Sequence, residues 1–303
     1  MSEIDDSSAP LIEHLAELRT RIIRAVAAFL VGMVLCFTVG EQILEFLLRP
    51  IEATMRALGD PNPQMIYTAP QEYFFTLIRV SVVGGLIVSF PVIAHQMWRF
   101  VAPGLYKNEK GAFLPFLIAS PALFLLGAAF AHFVVVPLAM QFFLGFADVQ
   151  QVITSVAVPT TVPDGVVIVD PPIPDAPVRE GISIAFAGKV NESLDITLKM
   201  IVAFGLCFQL PVLLTLMGKA GLVSAAGLAG VRKYAVVGIL LLAAIVTPPD
   251  VITQLILFFV VYGLYEVSIW LVRMVERARE RQLKADGLWD EEIHGTGARD
   301  DAP

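Results

Sequence analysis

Apolar residues gather in six runs, near residues 22–39, 76–98, 113–145, 194–218, 234–246 and 251–272, with polar stretches between them. A helix needs about 20 apolar residues to cross a hydrocarbon layer roughly 30 Å thick. The runs therefore predict an all-α polytopic membrane protein with six transmembrane helices. The third run is about 33 residues long and holds Pro115, Pro121 and Pro137, which predicts a kinked or tilted helix with one end along the interface. The fifth, YAVVGILLLAAIV, has about 13 residues. At 1.5 Å per residue it reaches only about 20 Å. The last two spans are therefore short: either the bilayer thins there or they form a shallow hairpin.

Polar positions set the remaining boundaries. Glu13, Glu17 and Arg21 recur every four residues, while Leu11, Leu15, Leu18 and Ile22 form a separate stripe, which predicts an interfacial helix turning into the first span. The TPPD stretch offers Thr247 as N-cap of the sixth span, Pro248 at its first position and Asp250 completing a capping box. Residues 40–75 read as a longer loop. Residues 147–193 read as an acidic excursion whose prolines break any helix and whose Val/Thr runs favour short extended pieces. The expected organisation is a single six-helix membrane domain over 1–272 and a tail over 273–303 that starts helical and then frays.

Composition agrees. The chain is 56% hydrophobic and only 16% charged, with mean hydropathy +0.74, where a soluble domain carries roughly 25% charged residues. The net charge of −7 conceals a polarity, because 15 of the 21 Lys and Arg residues flank one set of span ends. The positive-inside bias then places both termini in the cytoplasm. The acidic N-terminus, with no A-x-A site after the first run, reads as a retained span rather than a cleaved signal. Cys36 and Cys207 both fall within apolar runs and read as small buried hydrophobes.

Candidate chemistry is sparse. No nucleotide, zinc-protease, esterase or redox motif occurs, the four histidines have no metal spacing, and no basic stripe points to nucleic acid. Neither an enzyme nor a cofactor is expected. Polar groups within spans become the candidates, since they are costly there. Gln209, in FGLCFQLPV, needs either a helix neighbour or a water-lined cavity. Arg79 can snorkel from the second span, Lys199 can pair with Asp195, and His95 and His132 serve either packing or proton relay. A secondary transporter of a small solute, with Gln209, Arg79 and His95 at the midplane, is the rival reading; no inverted repeat accompanies it.

HLAELRTR, FPVIAHQMWRFVAPGLYKNEK, FVVVPLAMQFF, FGLCFQLPV and LLAAIVTPPDVITQ occur in that order. Together they resemble the TatC family, receptor subunits of the twin-arginine protein translocase, over about 10–272. The resemblance implies that Glu17 and Glu109 face the paired arginines of a signal peptide, with His14, Arg19, Phe100 and Lys107 shaping the pocket. It further implies folded cargo, TatA- and TatB-type single-span partners, self-association, an inner-membrane location and energy from the proton gradient. A guanidinium fork matches a carboxylate in a way an ammonium does not. The family often has glutamate where this chain has Gln209, and the 147–193 excursion is longer than the family implies.

Overall fold

The computed structural model describes residues 3–59, 61–101, 114–145, 188–247 and 250–285, with backbone alone at 3–14, 100–101, 114 and 282–283. It is a helical membrane bundle. Five stretches are long and apolar enough to cross a membrane: Leu15–Thr38, Pro70–Arg99, Pro115–Gly145, Val190–Lys219 and Val251–Arg281.

Helix α1, Glu3–Thr38, is continuous. The expected turn between an interfacial segment and the first span is absent, because no proline or glycine interrupts the backbone ladder between Leu11 and Val31. Helix α3, Pro70–Val101, packs along it. The crossing is tight: a Cβ at Gly85 would lie 2.6 Å from the Met33 Cα, and one at Gly32 would lie 2.9 Å from the Gly85 carbonyl oxygen. Small residues let membrane helices approach closely enough for dispersion to hold them where no hydrophobic drive exists.

Between α1 and α3, the expected loop contains helix α2, Gly40–Ala57. Leu44, Leu47, Ile51 and Met55 recur on its buried face, while Glu41, Glu45, Glu52 and Arg56 stay exposed. The same end of the bundle carries a two-residue parallel pairing of β1, Met65–Ile66, with β2, Gly188–Lys189, in register Met65↔Gly188.

The third span is α4, Leu114–Phe130, a π-helical turn at Ala131–Val135, and α5, 136–145. Pro137 explains the wide turn. It has no N–H for the Phe133 carbonyl and its ring crowds that turn, so one extra residue is accommodated there. The bond from the Val136 N–H to the Ala131 carbonyl marks the change of pitch.

The fourth span begins at Val190, four residues earlier than expected, and is broken. Helix α6, Val190–Cys207, ends at Phe208–Gln209, and α7, Leu210–Lys219, restarts with Pro211 in its first turn. Pro211 lacks the N–H that a continuous helix would send to Cys207, which favours the break there. A short helix α8, Ala225–Gly230, follows; its N-cap Ser224 accepts from the Gly227 N–H at 3.0 Å.

The expected fifth span is α9, Arg232–Val246, of 15 residues. That is about 22 Å, so among the described residues five helical stretches rather than six reach spanning length. Helix α10, Val251–Ala285, joins the expected sixth span and the helical start of the tail into one rod of 35 residues. The cap between α9 and α10 is also corrected. Thr247 closes α9, its hydroxyl donating to the Ala243 carbonyl at 2.8 Å. The capping of α10 belongs to Asp250, whose carboxylate accepts the Thr253 N–H at 2.7 Å and the Thr253 hydroxyl. A residue three before the receiving N–H is the N-cap position, and Thr247 stands too far back.

The larger core cluster joins α2, α6 and α10 through Ile51, Met200, Phe204, Leu257 and Val261. A smaller one joins α3, α4 and α7, where Phe90 stacks on Phe124 with centroids 3.8 Å apart. Cys36 and Cys207 are buried free thiols, as their apolar settings predict.

Candidate functional site

The Lys- and Arg-rich end of the bundle holds the amino-terminal carboxylate. On α1, Glu17 and Arg21 stand one turn apart, and Arg21 reaches Glu17 Oε1 through Nε at 3.0 Å and also through Nη2. The arginine side chain is only 12% exposed and the glutamate 38%. The cation is thus packed against the helix and holds a carboxylate that faces outward. Arg19 on the same turn is exposed. Glu109 and Lys107, and the side chains of His14 and Phe100, lie outside the described residues, so the expected meeting of Glu17 with Glu109 is neither drawn together nor pulled apart.

At mid-span, Gln209 has a helix neighbour. Ser120 of α4 donates its hydroxyl to Gln209 Oε1 at 2.7 Å, and Gln209 Nε2 donates to the Ser120 carbonyl at 2.9 Å. This two-bond clasp sits where α6 breaks from α7, and it ties the break to α4. Sequence reasoning misses Ser120. Its signal is a lone hydroxyl beside Pro121 within an apolar run.

Three further polar groups also have partners. Arg79 donates to Asn191 Oδ1 at 2.8 Å and lies 4.0 Å from Asp195, which Lys199 also pairs. Glu266 takes Arg232 in a fork, Nε to Oε1 at 2.7 Å and Nη2 to Oε2 at 2.9 Å, and accepts the Tyr262 hydroxyl at 3.0 Å. Glu276 accepts the Ala225 N–H at 2.9 Å and so caps α8 from α10. His132, 4% exposed, stacks on Phe46 of α2 with centroids 4.5 Å apart, and its Nδ1 has no hydrogen-bond partner. That geometry is packing. Among the described residues no cluster of His, Cys, Asp and Glu is arranged to hold a metal.

Several helices long and apolar enough to span a bilayer, a broken fourth span and a carboxylate at the basic end define a multi-pass membrane protein. Comparison with known proteins gives the family. The family profile described as "Sec-independent protein translocase protein (TatC)" matches residues 13–259. A TatC of Magnetococcus marinus is 43% identical over 281 residues, covering 93% of this chain and 90% of that protein. One from Aquifex aeolicus is 36% identical, covering 91% of this chain and all of its own length. A solved structure titled "Crystal Structure of Twin Arginine Translocase Receptor- TatC" matches with TM-score 0.67 at 35% identity, covering 87% of this chain and 99% of that one. The chain belongs to the TatC family of Sec-independent protein translocase components.

Proposed function

We propose that this chain is the subunit that receives twin-arginine signal peptides and forms the core of a translocase moving folded proteins across the inner membrane. The observation that carries the proposal is the Glu17 carboxylate, held by the packed Arg21 at the basic end of α1 and still 38% exposed. Glu17 and Glu109 take the two guanidinium groups, and His14, Arg19, Phe100 and Lys107 shape the pocket around them. A planar guanidinium bonds a carboxylate through two parallel N–H donors, which a lysine ammonium cannot do. Specificity for arginine follows from that fork.

The membrane domain over 1–272 lies in the inner membrane with both termini cytoplasmic, and 273–303 forms the cytoplasmic tail. TatA- and TatB-type single-span proteins assemble with it, copies of the chain associate with one another, and the proton gradient supplies the energy. Charge bias and family membership support this arrangement.

The test is photocrosslinking of a signal peptide to membranes containing Glu17→Ala, Glu109→Ala or both. Removing one member of a desolvated charge pair costs on the order of 2–5 kcal/mol. The exposure of Glu17 puts its share near the lower end, about 30-fold in affinity. Unchanged crosslinking in the double variant would refute the assignment. Export of a reporter that fails when the signal's arginines become lysines separates this reading from solute transport.

A further inference from the structure

An apolar groove of about 460 Å³ opens between α4, α7 and α10. Its wall includes Phe116, Ala119, Val212, Leu271, Met274 and Ala278. The hydroxyl of Thr215, also on the wall, is turned to the Pro211 carbonyl. Nothing in such a lining recognises a polar ligand, so its occupant there is hydrocarbon. With a methylene taken at roughly the 30 Å³ of a liquid water molecule, the groove holds on the order of 15 of them, one acyl chain rather than a whole lipid.

The rim supplies the rest of the chemistry. Val212, Thr215 and Lys219 follow one another on one face of α7, so Lys219 stands one turn beyond the groove. Met274, Ala278 and Arg281 do the same on α10, and Arg281 is exposed. Both cations mark the Lys- and Arg-rich end, where α4 begins and α10 leaves its apolar stretch. A hydrocarbon slot with two cations at its interfacial mouth has the charge pattern of an anionic phospholipid.

We propose that this groove binds one acyl chain of an anionic phospholipid, with the phosphate resting between Lys219 and Arg281. Neither Glu17 nor Arg21 lines the groove, and the proposal does not depend on the Glu17 assignment. A signal peptide's apolar segment is the competing occupant, and the test distinguishes the two.

The full chain is purified in detergent, offered phosphatidylglycerol or phosphatidylcholine with matched acyl chains, and weighed by native mass spectrometry. One retained phosphatidylglycerol is expected, preferred over phosphatidylcholine by on the order of fivefold per cation. Arg281→Gln should lose about one such factor of preference yet still bind lipid. Ala278→Trp should fill the slot and abolish retention of both lipids. Because Ala278 is exposed, the substitution leaves the helix intact, and circular dichroism checks this. If the tryptophan variant does not fold, the arginine variant decides alone. Equal retention of the two lipids by the unmodified chain, or an unchanged preference in Arg281→Gln, would overturn the proposal. So would a synthetic twin-arginine peptide whose binding is lost in Ala278→Trp while phosphatidylglycerol stays.

Discussion

Gly85 and Met33 meet backbone to backbone, and nothing at that crossing can move aside. Gly85→Ala places a methyl group 2.6 Å from the Met33 Cα, so the helices must part, at about 1–3 kcal/mol. On α9, a methyl group added at Gly238 would meet nothing within 4 Å. Gly238→Ala is therefore expected to be neutral or stabilising by up to about 1 kcal/mol, through helix propensity alone. Thermal unfolding in detergent followed by size-exclusion fluorescence compares the two; equal midpoints would contradict the close crossing. The Ser120–Gln209 clasp gives the second prediction at this scale. A double-mutant cycle with Ser120→Ala and Gln209→Leu should return a coupling of about 0.6–1.7 kcal/mol, the range for interhelical hydrogen bonds in membranes. Strict additivity would mean that the Ser120 hydroxyl's bond to Gln209 contributes nothing, since the alanine keeps the backbone carbonyl.

Helices α9 and α10 are fastened by the Arg232–Glu266 fork, with Tyr262 on the same carboxylate. Arg232→Lys keeps the charge but removes one of two parallel bonds, so amide exchange in α9 should quicken while α6 is unaffected. Exchange identical to that of the unmodified chain would show that apolar contact alone seats α9. The spans are legible in the sequence because continuous apolar runs leave little else for a chain to do in a bilayer. Helix α2 is not, although Leu44, Leu47, Ile51 and Met55 carry its period. Pro50 and the alternating charges make that stretch look like loop, and only the core beneath it selects the helix. Thr247 misleads for a related reason: capping chemistry is local, but Asp250 three residues later satisfies the same rule, and the backbone decides between them. At the site, the Glu17–Arg21 pair follows directly from four-residue spacing. Ser120 does not, since its importance exists only once α4 and the α6–α7 break are adjacent.

As a whole molecule, the bundle separates its charges by end. In the sequence, 15 of the 21 Lys and Arg residues flank one set of span ends, which the positive-inside bias predicts to be cytoplasmic. Alkaline phosphatase fused after Pro61 or within 146–187 should be active, while a fluorescent protein fused at the C-terminus should glow. The reverse pattern would invert the topology and remove Glu17 from any cytoplasmic peptide. The long chain between Gly145 and Gly188 is tied at its far end by the Met65↔Gly188 pairing. Insertions between them should therefore leave the start of α6 in place.

Helix α1 rests on α3 through that glycine crossing, and only 11% of its apolar span is buried. The same seam seats Cys36 of α1 against Gly84 of α3, so the two helices hold each other along a line rather than at one point. Glu17 lies fifteen residues from Gly32 on an unbroken helix, an arm of about 22 Å. A tilt of α1 by about 10° about Gly32 would carry that carboxylate through roughly 4 Å at this arm length, more than a hydrogen bond's reach. If Glu17 binds a signal peptide as proposed, a partner that tilts α1 would change that fit without touching the peptide.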